Sequence, residues 1–246
     1  MLGTNSNQRP VRDVPAWVLW CLPITLALQI LFRIAQPAPT IVAGQLQPPP
    51  SLNFLRLASL GEPIGLASAL DLYLQAFDTQ PGISIPFGKL DYHNIVLWLD
   101  RISSLDPASA YPFLLASQVY SQVPDPARQR AMLDFVFRKF HEDPLRRWRW
   151  LAHAAILAKH QLKDTQLALT YARAIAKEAN DPSVPSWAKQ MQIFLLEDLG
   201  EYEAAKILLG GLLASGTVTD EHEIRFLMER LKALESDEKS SEASKQ

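Results

Sequence analysis

Basic and aromatic side chains alternate most densely in residues 138–150, and this segment has the strongest capacity for binding chemistry. The cluster includes Arg146, Arg147, Arg149 and Trp150. Guanidinium groups stack on indole rings and donate several hydrogen bonds, so the segment could bind acidic peptides, phosphate groups or RNA. The alternative is a solvated helix start whose arginines pair with Glu142 and Asp143 while the tryptophans pack inward. We favour the alternative, because runs of charge usually form solvated faces.

Catalytic and metal-binding patterns are weak by comparison. His153 and His160 can share a helix face, but zinc ligands on a helix usually occupy positions i and i+4 with a carboxylate nearby. No Gly-rich phosphate loop, nucleophile elbow, HExxH motif or pair of catalytic carboxylates is apparent. Gly210 and Gly211 lie inside an apolar helical segment, where we expect them to permit close helix packing. The sequence therefore predicts no enzymatic activity, no cofactor and no metal.

A repeat of about 37 residues runs through the middle of the chain. The prolines of three Asp-Pro pairs lie 37 and then 38 residues apart, and three further sets of residues lie 37 apart. These sets are Pro107, Pro144 and Pro182; Ala131, Ala168 and Ala205; Phe113, Trp150 and Trp187; and Tyr120, Leu157 and Phe194. Self-similarity at a period of this size is typical of stacked helix-turn-helix units.

Apolar residues recur at helical spacing from residue 52 onward, and no alternating strand pattern persists beyond a few residues. Gly and Pro residues divide this part of the chain into ten predicted helices. They cover 52–60, 63–77, 91–104, 108–122, 126–141, 145–161, 164–179, 184–199, 201–215 and 219–235. The sequence therefore predicts an all-α fold.

Residues 198–209, DLGEYEAAKILL, contain a turn glycine, an aromatic residue two positions later and a small residue where two helices would cross. Weaker copies occupy 163–172, 95–107 and 131–144. Together they resemble the tetratricopeptide repeat (TPR) family over roughly residues 63–216. The resemblance implies a solenoid of about four helix pairs that binds a protein or peptide in a groove, with helix 219–235 as a cap.

The sequence departs from the family in two respects. The usual family period is 34 residues, so each unit here is about three residues longer. The turn glycine is absent from the pairs at 108–141 and 145–179. We therefore expect irregular, TPR-like units.

Two interpretations of the aromatic column, which consists of Phe113, Trp150 and Trp187, remain open. Its residues could line the groove, and His153, His160, Gln190 and Glu197 would then be polar groove residues able to confer specificity. Alternatively, they could fill the core together with the column seven residues further along the same helix faces, which consists of Tyr120, Leu157 and Phe194. The core is favoured, because aromatic residues at helical spacing usually pack. The candidate partner-binding residues are Phe113, Tyr120, Arg146, Arg147, Arg149, Trp150, His153, His160, Trp187, Gln190, Phe194 and Glu197.

Residues 14–32 carry no charge and are long enough to cross the roughly 30 Å hydrocarbon core of a membrane. Trp17 and Trp20 lie near one end, as is typical of the interface, and Pro23 is expected to bend the helix. A cleaved signal peptide would need a small-x-small site soon after the apolar stretch, and none follows. We predict an uncleaved transmembrane anchor over residues 14–35.

The flanking segments complete the predicted organisation. Residues 1–13 are polar, 36–51 are Pro-rich and predict a semi-extended spacer, 52–235 form the helical domain, and the polar tail 236–246 is predicted to be disordered. The net charge of −2 makes nucleic acid an unexpected partner. Cys21 is the single cysteine, so no intramolecular disulfide is possible.

These features predict a single-pass protein of the bacterial inner membrane whose C-terminal domain is periplasmic, since Arg9 and Arg12 precede the uncharged stretch 14–32 and only Arg33 directly follows it. By resemblance, its function would be that of an adaptor or scaffold that binds a protein or peptide during envelope protein assembly, secretion or membrane-complex maturation. Two alternatives remain: a catalytic or non-catalytic subunit of a membrane enzyme complex, and a scaffold of inverted topology that faces the cytoplasm.

Overall fold

The computed structural model describes residues 15–35, 44–216, 218 and 220–243, and the chain divides into two compact units at residue 42. In the first unit, helix α1 (Ala16–Ala35) continues through Pro23. Residues Trp17–Ala35 have a mean hydropathy of 1.9 and no buried side chains. By length and composition, α1 is therefore able to cross a membrane. The predicted polar segment 1–13 and residues 36–43 of the predicted spacer lie outside the described residues.

The described part of the second unit is all-α apart from a hairpin of two short strands, β1 (Thr79–Gln80) and β2 (Ile83–Ser84). Its helices are α2 (Leu52–Ala58), α3 (Pro63–Ala76), α4 (Tyr92–Leu105), α5 (Tyr111–Leu114), α6 (Pro126–Phe140), α7 (Pro144–His160), α8 (Thr165–Glu178), α9 (Ser186–Asp198), α10 (Tyr202–Ala214) and α11 (Glu221–Ala243). The predicted all-α class is confirmed.

Two elements differ from the predicted boundaries by more than two residues. The predicted helix 108–122 is a short α5 that continues as a π-helical turn over Leu115–Val119 and a 3-10 turn over Tyr120–Gln122. Helix α11 extends to Ala243, into the segment for which the composition predicts disorder. Glu, Lys, Ser and Ala are compatible with a helix, so a helix that has already formed can propagate into this segment.

Aspartate side chains determine where several helices begin. The carboxylates of Asp91, Asp125, Asp143 and Asp164 each accept a hydrogen bond from a backbone N–H in the first turn of the next helix. These N–H groups have no partner within the helix, so a short carboxylate at this position stabilises the helix start. Pro126 and Pro144 follow two of these caps, where the absence of an N–H costs nothing.

Consecutive helix pairs stack so that residues about one period apart come into contact. Tyr171 of α8 donates a hydrogen bond to Asp134 of α6 over 3.4 Å, and the two residues are 37 positions apart. His141 Nδ1 lies 2.8 Å from Glu178 Oε2, again 37 positions away. From α6 onward, each helix packs mainly against its neighbours in sequence. This arrangement is compatible with helical repeats.

Residues 44–50 form part of the helical unit, although the composition predicts that they belong to a spacer. Leu46 is only 4% exposed, and its carbonyl oxygen accepts a hydrogen bond of 2.8 Å from Asn94 Nδ2. The carbonyl oxygen of Gln47 accepts a hydrogen bond of 2.8 Å from Trp98 Nε1. Two side-chain donors on α4 thus hold the extended backbone, and the segment that can act as a spacer shortens to residues 36–43.

Asp71 is a buried acid in α3. It is 5% exposed, and its Oδ1 atom has no hydrogen-bond partner among the described residues. Burial, followed by the charge of Asp106, raises its pKa from 3.8 to about 7. Because the folded state holds this proton more tightly than the unfolded state, raising the pH from about 4 to about 7 lowers the contribution of Asp71 to stability.

We therefore predict that Asp71→Asn becomes more stable relative to the wild type as the pH rises through this window. Asparagine cannot ionise, so the penalty for a buried charge is absent from the variant. The measurement is urea unfolding of both proteins in detergent at several pH values, with circular dichroism as the signal. A difference in unfolding free energy that is independent of pH would contradict the assignment.

Candidate partner-binding site

The first helices of the last pairs, α7 and α9, and the final helix α11 lie side by side. Trp148 of α7 contacts Trp187 of α9 edge to face, with ring centroids 5.5 Å apart. Lys159 and Asp198 form an ion pair further along the same two helices. Phe194 of α9 lies 6.4 Å from Phe226 of α11 between ring centroids. These contacts place one surface of each helix next to the corresponding surface of the following one.

The solvent-accessible side chains of these three helices form a continuous surface, which we term the first-helix face. On α7 they follow the i, i+3 and i+4 spacing of a single helix face. The first-helix face comprises Leu145, Arg149, His153, Ile156, His160, Trp187, Met191, Phe194 and Phe226. Trp187 is 52% exposed and Phe226 is 51% exposed, so large aromatic surfaces are available to a partner.

The predicted aromatic column divides between core and surface. Phe113 and Tyr120 are each 1% exposed, and Phe113 stacks on Phe135 with ring centroids 5.8 Å apart. Trp150 is half-buried against the core, whereas Trp187 is exposed. Phe113 and Tyr120 are therefore structural residues, and Trp187 is the member of the column most accessible to a partner.

The predicted polar residues of the groove also divide. His153 is half-buried and His160 is exposed on the first-helix face. Gln190 is buried and donates a hydrogen bond of 2.5 Å to Glu223 of α11. Glu197 forms an ion pair with Arg230 of α11. Gln190 and Glu197 thus join α9 to α11, which is a role that sequence spacing did not indicate.

The basic cluster contains one buried arginine. Arg147 is 4% exposed and donates hydrogen bonds to Glu142 Oε2 over 2.9 Å, to the carbonyl oxygen of Lys139 and to that of Pro107. Its guanidinium carbon also lies 4.8 Å from the ring centroid of Phe113. These contacts occupy the side chain within the junction between helix pairs, so Arg147 is not available to a partner.

A small ionic network surrounds Arg147. Lys139, also buried, bridges Asp100 Oδ1 at 2.9 Å and Glu142 Oε1 at 3.0 Å. Burial alone would raise the pKa of Glu142, but hydrogen bonds from Arg147 and Lys139 outweigh it and lower the pKa below its ordinary value. The network therefore links α4, α6 and α7 by paired charges.

Arg146 and Arg149 differ from Arg147 in being exposed. Arg146 Nε lies 3.5 Å from Asp143 Oδ2, a pair that solvent screens. The Arg149 guanidinium carbon lies 5.3 Å from the ring centroid of Trp148, on the first-helix face. Of the three arginines, Arg149 is therefore the exposed one that stacks on an indole ring, that of the buried Trp148.

We predict unequal losses of stability for two neighbouring substitutions. Arg147→Ala should lower the free energy of unfolding by about 3 kcal/mol, because it breaks buried, charge-assisted hydrogen bonds. Arg149→Ala, the matched control, should cost less than about 1 kcal/mol, since it removes only a cation–π contact made by a solvent-exposed side chain. Urea unfolding in detergent measures both. Equal losses would contradict the division of the cluster into buried and exposed members.

A cavity separate from the first-helix face lies where α9, α10 and the loop that precedes α9 meet. This cavity has a volume of about 620 Å³, and Ile193, Leu208, Gly211 and Leu212 contribute to its lining. A Cβ atom added at Gly210 or Gly211 would meet no atom within 4 Å. The expectation that these glycines permit close helix packing was therefore wrong, because α10 faces open space at this point.

The glycine pair consequently lowers helix stability without a packing benefit. We predict that Gly211→Ala raises the free energy of unfolding by roughly 0.5–1 kcal/mol, through helix propensity and a less flexible unfolded chain. Thermal unfolding of the variant and the wild type provides the measurement. A destabilised Gly211→Ala protein would show that the cavity is closed in solution.

Among the described residues, no group of three or more His, Cys, Asp or Glu side chains could hold a metal ion. Comparison with protein-family models, with curated proteins and with solved structures finds no match. The first-helix face is therefore the feature on which a functional assignment rests.

Proposed function

We propose that this protein is a membrane-anchored, TPR-like adaptor that binds a protein or peptide partner on the first-helix face. The observation that carries the proposal is the exposure of Trp187 and Phe226 on adjacent helices of a stacked helical domain. Exposed aromatic residues that cluster on one surface are enriched at the centres of protein interfaces. The TPR-like sequence pattern and the nearest-neighbour packing of the helices support the same assignment.

The chemistry of the face indicates the kind of segment that it accepts. Ile156, Trp187 and Phe226 offer apolar surface, while Arg149 and His160 add hydrogen-bond donors along α7. Both acidic residues of α9 are already paired, Asp198 with Lys159 and Glu197 with Arg230. A partner segment with apolar anchors and neighbouring carboxylates would therefore complement the face, with the anchors giving affinity and the carboxylates giving orientation.

The proposed anchor determines where this binding takes place. Helix α1 is long and apolar enough to span a membrane. Confinement to a membrane raises the local concentration of the domain near membrane-bound partners. We place the chain in a bacterial inner membrane with the helical domain in the periplasm, in a role such as envelope protein assembly, secretion or maturation of a membrane complex.

Site-specific photo-crosslinking tests the proposal. A benzophenone amino acid is placed at Phe226 on the first-helix face or, as the matched control, at Ile207 on α10, which is 71% exposed. We expect the full-length protein in its native membrane to form a discrete crosslinked product from Phe226 and not from Ile207. The Trp187→Ala substitution should reduce that product at least tenfold, since loss of a central aromatic anchor commonly costs 2 kcal/mol or more, by rough estimate.

The controls separate binding from folding. Trp187→Ala must retain the circular dichroism spectrum of the wild type, because only a folded variant reports on the surface. The same product from both positions, or no loss with folded Trp187→Ala, would contradict a partner site on the first-helix face. A C-terminal reporter fusion that is active in the cytoplasm would instead overturn the periplasmic placement.

A further inference from the structure

The helical hairpin α2–α3 has an unusual distribution of polarity. Between residues 51 and 77 the charged residues are Arg56, Glu62 and Asp71, and Asp71 is the one that is buried. The outer surface of the hairpin is instead apolar. Its exposed large side chains are Phe54, Leu57, Leu60, Ile64, Leu72 and Tyr73. A surface in permanent contact with water would normally show the reverse distribution.

The turn between the two helices presents the most exposed of these side chains. Leu60 is 91% exposed and has a φ of 50°, and Gly61 follows with a φ of 95°. The left-handed region is unfavourable for leucine, and the position after a helix is usually occupied by glycine or asparagine. The turn therefore holds a large apolar side chain in solvent in a backbone conformation that leucine disfavours. Exposure to water does not favour leucine at this position, whereas an apolar environment around the side chain would favour it.

The chain length between the anchor and the hairpin limits how far the hairpin can lie from the membrane. Only residues 36–43 separate Ala35, the end of α1, from Gly44, where the described part of the helical unit begins. Nine steps along the chain of at most about 3.6 Å each span no more than about 32 Å. Helix α2 begins at Leu52, shortly after the segment that α4 holds in place. The apolar hairpin is thus the first helical element after the proposed anchor.

We propose that Phe54, Leu57, Leu60 and Ile64, which we term the hairpin tip, insert into the interface of the membrane that α1 spans. A bilayer accepts apolar side chains without requiring a complementary shape, which suits a convex turn better than a folded partner would. Arg56 can extend its charge toward lipid phosphates while its methylene groups remain in the apolar layer. This second contact rests on the proposed anchor and would restrict the orientations of the domain that carries the first-helix face.

Depth-dependent fluorescence in reconstituted vesicles tests the hairpin tip. The full-length chain carries Cys21→Ser together with Leu60→Cys, labelled with an environment-sensitive nitrobenzoxadiazole dye. Vesicles of phosphatidylethanolamine and phosphatidylglycerol contain either no quencher or a lipid with a nitroxide near the head of its acyl chain. We expect quencher lipids to reduce the Leu60→Cys signal at least twofold. The matched control, Ile207→Cys in the same background, should change little, because Ile207 is exposed on α10.

A separate label on the native Cys21 distinguishes failure of this proposal from failure of the anchor. Cys21 lies in α1, so lipid quenchers should reduce its signal if α1 is inserted. Quenching at Cys21 without quenching at Leu60→Cys would overturn the hairpin tip and leave the anchor intact. No quenching at either position would overturn both. Leu57→Cys provides a second labelling position. If the dye at this position becomes shielded from water in detergent, and the shielding increases with protein concentration, the hairpin tip contacts another protein molecule and not the membrane.

Discussion

The close approach of antiparallel helices through alanine is the interaction on which the rest of this structure depends. Helix α7 packs against α8 through small side chains that are at most 1% exposed, among them Ala155, Ala158, Ala168 and Ala172. Small residues allow the two backbones to approach each other, and the larger Leu151 and Tyr171 belong to the same buried core. Because each pair is narrow, the next pair can stack on it with its first helix alongside the previous first helix. The first-helix face is a consequence of this stacking.

Helix positions were accessible from the sequence, because they follow from the spacing of apolar residues and from Asp and Pro at helix starts. The helix face on which each residue of the aromatic column lies could not be predicted from the sequence. Since α5, α7 and α9 begin at Tyr111, Pro144 and Ser186, residues 113, 150 and 187 fall at the third, seventh and second helical positions. Residues at a constant spacing of 37 therefore lie on different faces of their helices, because the connecting loops differ in length. The aromatic contact that does form joins Trp148 to Trp187.

The sequence also did not predict the long-range hydrogen bonds. The composition of residues 44–50 predicts a semi-extended spacer, yet the carbonyl oxygens of Leu46 and Gln47 accept hydrogen bonds from donors on α4, about fifty positions further along the chain. Arg147 belongs to a run of exposed charges in the sequence, but the fold places Lys139, Glu142 and the ring of Phe113 around it. The candidate site is for the same reason only partly foreseen: Trp187, Arg149 and His160 lie on the accessible surface, whereas Gln190 and Glu197 hold helices together.

Crosslinking of engineered cysteine pairs tests the stacking of helix pairs most directly. In a Cys21→Ser background, one protein carries Phe194→Cys with Phe226→Cys, and a second carries His141→Cys with Glu178→Cys. The first pair joins α9 to α11, and the second joins the adjacent ends of α6 and α8. A short bifunctional maleimide should link both matched pairs in membranes and should not link the mixed pair His141→Cys with Phe226→Cys. Efficient linkage of the mixed pair, or none in either matched pair while the proteins remain helical, would contradict the stacked arrangement and the face that it creates.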